Sequence, residues 1–131
     1  MIKLLLFLLL MVSTNVFAEW TKVTDSADGS FSVYVDYGFI KKKGNKVTMW
    51  YVYDFEKVQI LIEIIRYLSE ARRDEFDCEE ATVRRLDWYQ YDENINKQGN
   101  VVNSWTNINY ISSIVPNSID DILLKVACSN K

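Results

Sequence analysis

From Trp20 onward, hydrophobic and polar positions alternate in short runs separated by glycine, asparagine and aspartate, the pattern of antiparallel strands. Trp20 to Thr24 predicts a first strand. Asp28-Gly29 marks a turn, after which Phe31, Val33 and Val35 share one face and Ser32, Tyr34 and Asp36 the other. Lys41 to Asn45, containing Gly44, predicts a polar turn, and Val47 to Phe55 a long third strand with Val47, Met49, Tyr51, Tyr53 and Phe55 on one side. Ser69 to Cys78 and Ala81 to Tyr91 predict two strands around an acidic turn, Asp77 to Glu80. Asp92 to Asn100 is a turn leading to a sixth strand, Gly99 to Trp105.

The period changes after Pro116. Ser118 stands as an N-cap, Asp120 and Asp121 face the positive end of the helix dipole, and Ile119, Ile122, Leu123, Val126 and Ala127 form an apolar stripe. That stripe must cover one face of the sheet. Residues 57 to 68 fit neither an alternation nor a single helical stripe, and their aliphatic content predicts a buried strand or a short packed helix. The alternative is an exposed apolar tip that meets another subunit or a membrane surface.

The N-terminus has the layout of an export signal: Lys3, an apolar run of nine residues from Leu4 to Val12, then Val16 and Ala18 at the −3 and −1 positions. Cleavage is expected after Ala18, since the run is far shorter than the roughly 20 residues a spanning helix needs. Val58 to Leu68 is interrupted by Gln59, Glu63 and Arg66, so no transmembrane span is expected after cleavage. Residues 19–131 make one domain. Loss of Lys3 takes the net charge from −3 to −4, which argues against nucleic acid as a partner.

Cys78 and Cys128 are the two cysteines, so one intramolecular pairing is available, and pairing is expected in an oxidising compartment. Cys128 ends the predicted helix and can staple it to the strand carrying Cys78. Without a Cys-x-x-Cys pair, the bond reads as structural and not catalytic.

The chain has no histidine, which removes the usual general base and the commonest metal ligand. Asp74, Glu75, Asp77, Glu79 and Glu80 match no calcium loop and read as a solvated turn. No cofactor and no metal site is expected. Basic residues gather at Lys41-Lys42-Lys43, Arg72-Arg73 and Arg84-Arg85. The arginines suit either cross-strand pairing with carboxylates or recognition of an acidic partner, and the lysines form the best exposed basic tip. Aromatic residues make up 14% of the chain, more than a small core hides, so Trp50, Trp88, Tyr89, Tyr91 and Trp105 are candidates for exposure.

The order of several stretches resembles the surface-adhesin protein E family of Gram-negative bacteria. They are Trp20-Thr21-Lys22-Val23, the run Asp28 to Asp36, Val47-Thr48-Met49-Trp50, Tyr67-Leu68-Ser69 leading to Asp77-Cys78, and Pro116-Asn117-Ser118-Ile119 opening a helix that ends Val126-Ala127-Cys128. The resemblance implies an α+β fold, a six-stranded antiparallel sheet with the C-terminal helix tethered to its concave face by a Cys78–Cys128 disulfide, and a homodimer as one form. It also implies adhesion to host extracellular-matrix or serum proteins through exposed, partly basic segments, at the outer surface or in the periplasm.

The function expected is therefore non-enzymatic: an exported domain that binds a protein partner, with Lys41, Lys42, Lys43, Arg66, Arg72, Arg73, Arg84 and Arg85 as candidate contacts. The alternative is a periplasmic structural or assembly factor acting by self-association through residues 58–68.

Overall fold

The alternation from Thr21 to Ser113 is realised as one antiparallel sheet, covered on one face by a helix. The computed structural model describes residues 19–129; the expected signal segment, 1–18, lies outside the described residues. The strands are β1 (Thr21–Asp25), β2 (Phe31–Val35), β3 (Lys41–Lys43), β4 (Lys46–Leu61), β5 (Ile65–Asp77), β6 (Thr82–Tyr91), β7 (Val101–Trp105) and β8 (Tyr110–Ser113), and the helix is α1 (Ile119–Ser129).

Among the described residues the expected six strands become eight because two rows of the sheet are interrupted. The order is β1-β2-β4-β5-β6-β7, with β3 on β4 and β8 on β6. β2 pairs with residues 51–55 of β4 and β3 with residues 46–48, so the two lie end to end along β4. Between them Asp36 caps a short 3-10 turn by accepting a hydrogen bond from the Gly38 amide at 3.0 Å. Lys41 to Lys43 therefore extend as a strand and do not form the polar turn expected, which shifts to Gly44-Asn45. β7 and β8 share the outer edge of β6 in the same way. Asn107 and Asn109 break that row with φ of 55° and 52°, a conformation asparagine tolerates better than most residues.

Val33, Val35, Val47, Met49, Tyr51, Phe76 and Val83 form the buried face, as the alternation requires, and Leu123 and Ala127 of α1 complete it. The Ser118 hydroxyl accepts from the Asp121 amide at 3.2 Å, while the Asp121 carboxylate accepts from the Asn117 amide at 2.9 Å, closing the start of α1. Its far end is fixed by the Cys78–Cys128 disulfide, with Cα atoms 5.8 Å apart.

The buried reading of residues 57–68 is overturned. β2 stops opposite Phe55 and β6 stops opposite Ser69, so beyond those points β4 and β5 pair only with each other. They project as a two-stranded ribbon, closed at Ile62 and Glu63 with φ of 51° and 58°. Among the described residues no third strand pairs with this segment, which is why Val58, Ile60, Ile62 and Ile64 stay in solvent.

Candidate binding surface

Three groups of side chains compete for a functional role, and the sheet register separates them. Lys41, Lys42 and Lys43 are all exposed on β3. Lys42 opposes Val47, while Lys41 and Lys43 oppose Thr48 and Lys46, so the row presents charge on both faces of an edge strand. Arg66 is exposed on the ribbon, opposite Ile60.

The other arginines meet carboxylates within the sheet. Arg73 pairs with its cross-strand neighbour Asp87 at 2.6 Å and Arg84 with Glu75 at 3.6 Å. Arg72 reaches Glu70, two residues before it on the same strand, at 2.6 Å. Its guanidinium lies between two rings, 4.5 Å from the centroid of Tyr53 and 4.4 Å from that of Trp88. Glu70 also accepts from the Gln90 side chain at 2.7 Å.

Arg85 sits at the centre of the second network. Its Nη1 donates to Asp74 Oδ2 at 2.5 Å and to the Tyr51 hydroxyl at 3.1 Å, and its Nη2 to Asp120 Oδ2 at 2.6 Å. The Tyr51 hydroxyl donates to the same Asp74 oxygen at 2.5 Å. Burial pushes the Asp74 carboxyl above its ordinary range against the pull of Arg85 and of that hydroxyl. Burial, and then the charge of Asp74, push the Tyr51 phenol far upward. The cluster thus holds α1 on the sheet, its charges spent on one another. At the acidic turn, Asp77 Oδ1 accepts from the amides of Glu79 and Glu80 at 3.0 Å each, which is turn chemistry and not a metal cage. Among the described residues no group of acidic or cysteine side chains is arranged to hold a metal ion.

The ribbon is the third group and differs in kind. Val58, Ile60, Ile62 and Ile64 are 50%, 61%, 79% and 85% exposed, which puts four aliphatic side chains in water at one end of the molecule. Of the aromatic candidates, Trp105 is exposed, while Trp50, Trp88, Tyr89 and Tyr91 are half-buried.

This architecture is shared. A family model described as Surface-adhesin protein E matches residues 20–129. The chain belongs to the surface-adhesin protein E family. Solved structures of protein E from Haemophilus influenzae have the same fold. Crystal form II aligns with a TM-score of 0.67 at 15% identity, covering 90% of this chain and 93% of that one. The selenomethionine form aligns at 0.65 and 15%, covering 90% and 92%. Protein E from non-typeable Haemophilus influenzae aligns at 0.63 and 15%, covering 89% and 80%. No curated protein matches the sequence. The family is named for adhesion, not for a reaction.

Residues that the sequence pattern left unassigned also line the surface. Ile108 and Tyr110 border a groove beside Arg72, Arg85 and Trp88. The aromatic and β-branched residues Tyr110, Ile111, Ile114 and Val115, following Asn107 and Asn109, carried a strand signal that could have located Tyr110. No helix among the described residues is long and apolar enough to cross a membrane.

Proposed function

We propose that the protein is an exported, non-enzymatic binding domain of the adhesin type that grips a protein partner with the end of the β4–β5 ribbon. The observation that carries this is the exposure of Val58, Ile60, Ile62 and Ile64 on a projection where, among the described residues, β4 and β5 pair only with each other. Aliphatic side chains held in water gain free energy on contact with an apolar surface, about 25 cal/mol per Å2 covered before the costs of association. Lys41 to Lys43 supply a second, electrostatic contact, and Arg66 flanks the apolar end. The pattern of residues 1–18 supports export, and the family supports a role at the cell surface.

The partner class proposed is a host extracellular-matrix or serum protein. The test is binding of the purified protein and of an Ile60→Thr/Ile62→Asn/Ile64→Thr variant to an immobilised panel of such proteins. Saturable binding that the variant loses supports the reading; binding that the variant keeps removes the ribbon from it. The same apolar end favours self-association as a second reading. Light scattering over a concentration series separates the two, because a wild-type dimer that the variant dissociates assigns the ribbon to the chain's own copy.

A further inference from the structure

We propose that the sheet carries a second site, separate from the ribbon: the outer edge of β7, which takes an extended, uncharged segment of another polypeptide as an added strand. β7 is last in the sheet order, so among the described residues no strand pairs with its far side. Such an edge presents backbone N–H and C=O groups to its surroundings, and an extended peptide is the ligand that answers them in register.

Charge separates this edge from the others. β1, at the opposite end of the order, carries Lys22 and Asp25, paired at 3.3 Å. β3 is three exposed lysines, and the free edges of the ribbon carry Lys57 and Arg66. Charged side chains on an edge strand keep other chains from pairing with it. β7 and β8 share the row beyond β6, and in a chain that is 25% charged no residue from Gln98 to Ile119 is charged. Val101, Trp105, Tyr110 and Ile111 are exposed along that row instead. β1 and β7 each have one register shift, so bulges do not distinguish them; that of β7 lies beside Val101, and Asn103 to Trp105 pair regularly with Gln90 to Trp88.

The same features define the occupant. Trp105 stands opposite Trp88, ring centroids 5.0 Å apart, and its outer side, 39% exposed, is the place for a β-branched or aromatic side chain of the next strand. A charged residue there would meet no countercharge on β7 or β8. A second copy fits poorly. Two β7 strands paired edge to edge would join five residues a side, against the roughly 20–30 a side of a stable interface. A flexible segment needs no such area, because its backbone bonds and alternate side chains engage together.

The test is an NMR titration of the 15N-labelled protein with the uncharged peptide Ac-STVTVTS-NH2, taken to about 5 mM because a disordered segment loses much of its contact energy to ordering. The expected result is saturable movement of the amides of Val101 to Trp105 and of the Trp105 indole, with those of residues 57–68 still. Ac-STVPVTS-NH2, whose proline lacks the central N–H, and Ac-STVEVTS-NH2, which adds a charge, should bind more weakly. Val101→Lys/Ser104→Lys, at two exposed positions, should keep the fold and weaken binding about tenfold. The Ile60→Thr/Ile62→Asn/Ile64→Thr variant should bind the peptide as the wild type does, so failure here and failure of the ribbon reading are distinguishable. No saturable shift overturns the proposal, and so do shifts confined to residues 57–68. Equal binding of the proline or glutamate peptide, or unchanged binding by a folded Val101→Lys/Ser104→Lys, also overturns it. Movement of the β7 amides on dilution without peptide would assign the edge to a second copy and overturn it as well.

Discussion

Arg85 of β6 holds Asp120 in the first turn of α1, Nη2 to Oδ2 at 2.6 Å, while its Nη1 serves Asp74, which is 1% exposed. One guanidinium thus bonds the helix start to the middle of the sheet. Removing one member of a buried pair strands the other, at about 3–5 kcal/mol. Arg85→Met should therefore destabilise by about 3 kcal/mol in urea denaturation, since Arg85 keeps partial access to solvent. Adding Asp74→Asn should restore part of the loss, because the stranded charge goes with it. A double variant as unstable as the sum of the singles would show that Asp74 is not the group left unpaired.

The other end of α1 depends on Cys78–Cys128, separated by 50 residues. Closing a loop of that length restricts the unfolded chain by about 4 kcal/mol in the chain-entropy model. Cys78→Ser/Cys128→Ser should lose up to that amount. Amide exchange should show the last turn of α1, around Ala127, losing protection ahead of β4 and β5. A variant whose helix amides exchange at wild-type rates would mean that the packing of Leu123 and Ala127 alone fixes the helix.

The strands whose side chains alternate against one buried face were legible in the sequence: Phe31 to Val35, Val47 to Phe55 and the β5–β6 pair, together with the capped helix from Ser118. The ribbon was not, because the aliphatic composition of Val58 to Ile65 is the same whether a neighbour covers it or not. Coverage was decided elsewhere, by where β2 and β6 end. Lys41 to Asn45 reads as a polar turn because it is charged and contains Gly44, although an edge strand bears three lysines equally well. At the arginines both readings stood open. The register decided, since Arg73 meets Asp87 and Arg85 meets Asp74 across β5 and β6, a relationship invisible until the bulge between Arg73 and Asp74 is known.

Asp28 gives a pH signature for the first hairpin. It accepts from the Ser30 hydroxyl at 2.7 Å, the Ser30 amide at 3.0 Å and the Ser26 hydroxyl at 2.9 Å, which together hold its carboxyl down at about 2, from an ordinary 3.8. The folded value lies below the unfolded one, so the contribution of this turn is fully present above the unfolded value and is lost as pH falls through about 2. Asp74 runs the other way: its raised folded value favours the protonated form, so its contribution is lost as pH rises through that value. A carboxyl-resolved NMR titration should place Asp28 near 2, and Ser30→Ala should move it upward. Titration of Asp28 at the ordinary value would show that the two serines do not hold it.

In the proposed binding, the lysine row and the ribbon should make separable contributions. Exposed charges act mainly on the encounter, raising the association rate at low salt, whereas apolar contacts act after docking and govern dissociation. Lys41→Ala/Lys42→Ala/Lys43→Ala should slow association and flatten its dependence on ionic strength. The triple isoleucine variant should instead speed dissociation and leave the salt dependence intact. The lysines are exposed on β3 and the isoleucines at the end of the ribbon, so each set should change folding stability by no more than about 0.5 kcal/mol per site. Surface plasmon resonance at two salt concentrations, on whichever panel protein binds the wild type, reads both rates. A lysine variant with an unchanged association rate would remove the basic row from the encounter and leave the ribbon as the contact.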